Sequence, residues 1–130
     1  MFTETLQYNN IGLFALRLAI GIVFFIHAIP KFKHPKDIAI GMGIPSMSFM
    51  IIVLGLVEMV SSLYLVFGFY TQLGALLLSC VMVGAITMKI TKWGSPFSAT
   101  DKTGWEFEFI LLAANIAILL VGGGSIGIQQ

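Results

Sequence analysis

Six polar side chains interrupt the long apolar stretches of this chain, and their types are those that carry acid–base or ion-pairing chemistry. They are Arg17, His27, Glu58, Glu106, Glu108 and Asn115. His and Glu can pass protons, Arg can pair with a carboxylate or hold an anion, and Asn can donate and accept hydrogen bonds. Within a membrane such groups are costly, usually face the bundle interior and usually have a partner. What they can do therefore depends on the elements that position them.

The composition places those elements in a membrane. Of the 130 residues, 58% are hydrophobic and only 10% are charged, against about 25% charged in an ordinary soluble domain. The mean hydropathy is +0.97. A small soluble domain has a large surface for its volume and could not cover it with so few charges. A soluble enzyme and a disordered chain are excluded, and a net charge of +1 gives no basic field for nucleic acid.

Four segments have the length and composition of membrane-spanning helices, which need roughly 20 residues to cross about 30 Å of hydrocarbon. They cover about residues 11–29, 47–69, 73–90 and 105–121. A β-barrel would alternate apolar and polar residues, but residues 49–54 are apolar at consecutive positions. The sequence therefore predicts an all-α integral membrane four-helix bundle, with residues 1–130 as a single transmembrane domain.

The lysines predict how the bundle is oriented. Lys31, Lys33 and Lys36 follow the first span, and the other three, Lys89, Lys92 and Lys102, flank the loop after the third. The turn between the second and third spans is uncharged, and neither terminus carries Lys or Arg. The positive-inside rule places the lysine loops in the cytoplasm. We therefore expect a multi-pass protein of the cytoplasmic membrane with both termini outside.

Depth along the spans groups three of the polar residues near the middle of the bilayer. Glu58 and Asn115 lie close to the middle of the second and fourth spans, and Arg17 lies roughly 5 Å from the middle of the first. An Arg17–Glu58 pair would neutralise both charges. Two interpretations stay open for it: a structural ion pair that holds two helices in register, or a site for a ligand or a proton. Asn115 is typical of a hydrogen bond between helices.

A second polar layer is expected near the cytoplasmic interface. His27 and Lys31 lie one turn apart at the end of the first span, and Glu106 and Glu108 open the fourth span on the same side. His27 fits either a hydrogen-bonded interfacial histidine or a proton-handling group. Glu106 fits either a favourable charge at the helix N-terminus or a functional carboxylate. Glu108 is better explained as structural, and it shares a helix face with Asn115.

Metal chemistry is not expected. Cys80 is the single cysteine, so a disulfide or a thiolate metal site within the chain is excluded, and two histidines, one of them in a loop, do not favour bis-histidine haem. The sequence therefore indicates no metal site and no redox centre of its own.

Several short motifs, in order, resemble the DoxX family. In the first span, Arg17 is followed by Gly21, His27 and Lys31; the second carries Gly55 and Glu58. The family is also resembled by residues 66–71, which end the second span and form its turn, and by residues 104–106, which open the fourth span. The resemblance covers about residues 12–122. Ala28 and Pro30 depart from its pattern after the histidine.

The resemblance implies a four-helix membrane bundle of bacteria and archaea, with polar motif positions at Arg17, His27, Glu58 and Glu106. Some relatives are subunits of thiosulfate:quinone oxidoreductases, and others are linked to sulfur-handling or oxidative-stress complexes. It favours a membrane subunit of a quinone-linked oxidoreductase, with a quinone as the bound cofactor and another protein chain as the electron donor. The alternatives are a non-catalytic membrane scaffold or assembly subunit and a small transporter. In each case we expect contact with the lipid bilayer, and assembly with other subunits or as a homo-oligomer.

Overall fold

The computed structural model describes residues 8–98, 100 and 104–128, and the described chain contains helices and no strands. Its α-helices are α1 (Asn9–Lys33), α2 (Pro35–Gly41), α3 (Ser48–Phe67), α4 (Thr71–Thr91) and α5 (Glu106–Val121). A 3₁₀ turn, Pro45–Met47, precedes α3. The predicted all-α fold is confirmed. Helices α1, α3, α4 and α5 overlap the four expected spans. Lys102 lies outside the described residues.

The four long helices pack in chain order around one core. Helix α1 packs on α3, α3 on α4, α4 on α5, and a smaller contact between α5 and α1 closes the ring. The core includes Ile20, Phe24, Leu65, Leu78 and Ile118, all almost fully buried. Three segments, Asn9–Lys33, Pro45–Phe67 and Thr71–Thr91, are long and apolar enough to cross a membrane. The fourth long helix, α5, is shorter, with 16 residues.

Helix α1 is longer than expected because it continues through Pro30 to Lys33. Proline removes one backbone hydrogen bond without ending the turn that follows it. The Pro30 carbonyl still accepts a hydrogen bond of 2.8 Å from the His34 N–H. The additional turn keeps Lys31 inside the helix, and this position decides its partner.

Small residues let α1 and α3 approach closely. A Cβ on Gly21 would collide with the Val66 side chain, and one on Gly55 would lie 2.9 Å from Lys31 Cβ. Such small positions allow helix backbones to pack tightly in a membrane, where lipid provides no hydrophobic driving force between helices. This close contact brings the residues of α1 and α3 at the lysine end of the bundle within hydrogen-bonding reach.

The opposite end of the bundle is covered by residues 122–128. The Ile128 N–H donates to the Phe67 carbonyl at 2.9 Å, and the Ser125 N–H donates to Asn10 Oδ1 at 3.1 Å. Gly68, which ends α3 with φ of +71°, leaves room for the segment because a Cβ there would lie 2.9 Å from the Ile126 carbonyl oxygen. The segment therefore ties α1 to the α3–α4 turn.

Candidate functional site

Glu58 forms a buried ion pair with Lys31. Lys31 Nζ lies 2.9 Å from Glu58 Oε2, and only 4% of the Glu58 side chain is exposed. Lys31 Nζ also donates to the His27 carbonyl one turn earlier in α1, at 3.2 Å. Long side chains on a helix lean toward its N-terminus, so Lys31 reaches from near the helix end to Glu58 in the middle of α3.

The expected Arg17–Glu58 pair is therefore wrong. Arg17 lies fourteen residues before Lys31 on α1, which is about 21 Å of helix rise. Its Nη2 instead donates to the Ile126 carbonyl at 2.5 Å, and its guanidinium lies 5.5 Å from the Phe14 ring centroid. Arg17 and Glu58 have similar depths in ideal spans, but a lysine at the helix end can extend inward and pair with Glu58 instead.

A second ion pair joins α4 to α5. Lys89 Nζ lies 2.7 Å from Glu108 Oε1, and both side chains are largely buried. Lys89 Nζ also donates to the Gly104 carbonyl at 3.3 Å. The other carboxylate oxygen, Glu108 Oε2, is buried and has no hydrogen-bond partner. Glu108 therefore carries an acceptor that the protein leaves unused.

Glu106 points away from this pair. It is exposed and accepts a hydrogen bond of 3.2 Å from Ser98 Oγ. Side chains two positions apart on a helix point in different directions. One of the two glutamates therefore turns inward and the other outward. The inward one is Glu108, although the resemblance had pointed to Glu106.

Asn115 is fully buried but does not link two helices through its amide. Its Nδ2 donates to the Leu111 carbonyl of its own helix at 2.8 Å, and its Oδ1 is buried without a partner. The expected interhelical hydrogen bond is therefore not formed by this group. Asn115 also does not meet Arg17, which lies at the other end of the bundle with the residues 122–128.

His27 lies one turn before Lys31 on α1 and faces α5. Its Nδ1 is 2.7 Å from the Val23 carbonyl oxygen, and its ring stacks on Phe107 with centroids 5.6 Å apart. Because a carbonyl oxygen only accepts, Nδ1 carries the proton, and Nε2 of the neutral ring remains an acceptor. His27 is thus oriented by its own helix and by an aromatic neighbour.

Both ion pairs and His27 line one cavity of about 640 Å³ at the lysine end of the bundle. Its walls are otherwise mainly apolar, and they include Phe24, Leu54, Val81, Met88, Trp93, Phe107 and Leu111. Arg17, Glu106 and Asn115 do not line it. A mostly apolar cavity with a few convergent polar groups is the usual form of a small-molecule site, and this one suits a ligand with a polar head and an apolar body.

Sequence reasoning placed Lys31 and Glu108 in the second polar layer but predicted neither ion pair, and it missed Lys89 as a residue of this site. Lys89 had been interpreted only as a topology signal, and Glu108 as structural. One signal was available, because Lys31 and Lys89 each lie in the last turn of a long helix, where the side chain can lean back into the bundle. Nothing in the sequence alone distinguished these two from Lys33 or Lys92.

The helices and the cavity define a class: a multi-pass α-helical membrane protein with an amphipathic internal cavity. Over residues 12–91 the chain matches the model of the DoxX family. A Bacillus subtilis protein named "Putative oxidoreductase CatD" is 31% identical over 117 residues, which are 87% of this chain and 81% of that protein. The chain belongs to the DoxX family, as the motifs predicted.

A second relative supports membership of a membrane family. The Mycobacterium tuberculosis protein named "Uncharacterized membrane protein Rv3486" is 35% identical over 77 residues, which are 56% of this chain and 47% of that protein. No solved structure matches the chain significantly. The comparisons therefore establish the family and the membrane location, and one relative carries an oxidoreductase name.

Proposed function

We propose that this protein is a membrane subunit of a quinone-linked oxidoreductase and that it binds a quinone in the cavity at the lysine end. The observation that carries the proposal is the pairing of Lys31 with Glu58 and of Lys89 with Glu108 on the walls of an otherwise apolar cavity. The oxidoreductase name of the Bacillus subtilis relative supports the same class of activity.

The polar groups of the cavity fit a quinone head. An ammonium has three N–H donors. Lys31 Nζ directs two of them to Glu58 and the His27 carbonyl, and Lys89 Nζ directs two to Glu108 and the Gly104 carbonyl. Each lysine thus keeps one donor for a quinone carbonyl. Glu108 Oε2 is free to accept from a hydroxyl of the reduced form.

A bound quinone would supply two-electron, two-proton redox chemistry, and the chain's own residues would position it and exchange protons. Glu58, Glu108 and His27 line the cavity and can accept and release protons there. The electrons would come from a second protein, with thiosulfate, sulfur or oxidative-stress metabolism as the setting. We place the lysine end in the cytoplasm and the protein in the cytoplasmic membrane, so this partner would dock from the cytoplasmic side.

The test is quinone binding by purified protein in nanodiscs, with Glu108→Gln compared with Glu106→Gln. These two glutamates belong to the same helix turn, but only Glu108 lines the cavity. We expect Glu108→Gln to weaken binding of a reduced quinone about tenfold or more, since a hydrogen bond to a charged group contributes about 1.5–3 kcal/mol. Glu106→Gln should leave binding unchanged. Equal affinity for both variants and the wild type would refute the site.

A structural role is the second candidate, and the same ion pairs favour it because each joins two helices. Lys31–Glu58 links α1 to α3, and Lys89–Glu108 links α4 to α5. A scaffold of this kind, with no quinone bound, predicts that Glu108→Gln lowers the unfolding temperature in detergent without changing ligand content. Lipid extraction from gently purified protein, together with mass spectrometry of retained proteins, separates the two candidates.

A further inference from the structure

Helices α3 and α4 are in close contact near their connecting turn, and the cavity lies beside both of them nearer the lysine end. A Cβ on Gly74 would lie 3.0 Å from the Ser61 carbonyl oxygen and 3.1 Å from Tyr64 Cβ. Ten residues later on α4, which is about 15 Å of rise, a Cβ on Gly84 would meet nothing within 4 Å. The space beside Gly84 is therefore open.

The cavity reaches the outer surface between α3 and α4, beside Gly84. Cys80 and Gly84 both line the cavity and are both exposed, and Leu54 and Glu58 line it from α3. Cys80 is the tenth of the 21 residues of α4, so the opening lies at the depth of the hydrocarbon rather than of water. Two other residues of the lining, His27 and Trp93, are also exposed, and the His27 ring is stacked on Phe107.

The opening and the interior of the cavity differ in polarity. The groups at the opening, Leu54, Cys80 and Gly84, carry no charge, whereas the lysine–glutamate pairs lie inside. A ligand that enters here can place its polar head against the ion pairs only if an apolar part extends back toward the lipid. Gly84 has no side chain, and a Cβ there would meet nothing within 4 Å, so such an extension has room to pass beside it.

We propose that the gap between α3 and α4 at Gly84 is a lateral entrance, through which a ligand with one apolar tail enters from the membrane and in which that tail stays. This inference rests on the proposed function and specifies its ligand: a quinone with a hydrocarbon tail rather than a small water-soluble quinone. Affinity then depends on the tail at Gly84 and on the head at the ion pairs, as two separable contributions.

The first test compares two probes with the same head, a benzoquinone carrying a ten-carbon chain and its tail-less counterpart, in nanodiscs. Gly84→Leu should weaken binding of the tailed probe about tenfold or more, equivalent to about 1.4 kcal/mol, and change binding of the tail-less probe much less. Gly12→Leu is the matched control, because Gly12 is an exposed helical glycine whose Cβ would also meet nothing within 4 Å. It should bind both probes as the wild type does.

The outcomes separate the two proposals. Unchanged affinity of Gly84→Leu for the tailed probe would overturn the entrance while leaving quinone binding intact. Equal losses for both probes would also overturn it, because the leucine would then occupy the space of the head. Failure of the wild type to bind either probe would instead overturn the proposed function.

A second measurement uses the wild type and does not depend on a variant folding. Cys80 is the single cysteine and lies at the entrance, so its alkylation by N-ethylmaleimide reports occupancy of the gap. Saturating tailed probe should slow alkylation several-fold, and the tail-less probe should not. Alkylation at the same rate with the tailed probe bound would contradict the entrance.

Discussion

At the scale of single residues, the decisive feature is the lysine that turns back into the bundle. Lys31 lies in the last turn of α1 yet pairs with Glu58 in the middle of α3. A buried carboxylate without a partner is strongly unfavourable, and its pairing with a flexible lysine whose own helix accepts a second hydrogen bond satisfies both charges. The same arrangement recurs at Lys89 and Glu108, where the second hydrogen bond goes to Gly104.

Removing Lys31 should therefore destabilise the bundle more than removing its neighbour. We expect Lys31→Met to lower the free energy of unfolding by about 3–5 kcal/mol, because Glu58 is left buried and unpaired. The double variant with Glu58→Gln should recover much of this loss. Lys33→Met, an exposed lysine of the same turn, is the control. Unfolding in mixed micelles measures all three, and equal stability of the two lysine variants would contradict the pair's importance.

At the scale of elements, Arg17 belongs to the end of the bundle opposite the cavity. It joins α1 to the segment 122–128 through the Ile126 carbonyl, and that segment in turn pairs with the end of α3 at Phe67. Its Nε is buried without a partner. The role that the structure supports for Arg17 is thus to attach the last described segment to the helices, at a distance from the ligand site.

The Arg17→Met variant should release this segment and leave the cavity unchanged. Loss of the hydrogen bond to Ile126 should cost about 1–3 kcal/mol locally, so hydrogen exchange at the Ile128 amide should become roughly tenfold faster or more. The Met42 amide, which bonds to Ile38 in α2, serves as an internal control. Quinone binding should match the wild type, and loss of binding would instead place Arg17 in the site.

At the scale of the whole molecule, the bundle has two different ends. One end is held by the segment 122–128 and carries no lysine, and the other holds the cavity and the lysine loops, which meet where Lys92 Nζ contacts the Gly43 carbonyl at 3.3 Å. Five of the six lysines belong to the described residues and lie at this end. The described lysines and the cavity therefore lie at the same end of the bundle.

The expected orientation can be tested by cysteine labelling in a Cys80→Ser background. Asp37→Cys introduces an exposed thiol beside the lysines without removing one, and Asn9→Cys introduces a thiol at the start of α1. A membrane-impermeant maleimide added to intact spheroplasts should label Asn9→Cys and reach Asp37→Cys only after lysis, as the positive-inside rule predicts. The reverse pattern would place the cavity end outside.

The sequence alone determined the class of fold, the four long helices and the family. These follow from local properties: apolar runs long enough to cross a bilayer force helices, and short motifs in a fixed order identify relatives. It also identified Glu58 and His27 as candidates, because an ionisable group within an apolar span can be recognised from the sequence alone. Both line the cavity.

Only the tertiary structure decided which charges meet. Depth in an ideal span pairs Arg17 with Glu58, whereas the observed partner is Lys31, because helix extension through Pro30 and the lean of a long side chain change where a charge lies. Likewise, the rotation of α5 turned Glu108 inward and Glu106 outward. Pairing depends on the relative rotation and divergence of separate helices, which residue spacing within one helix does not specify.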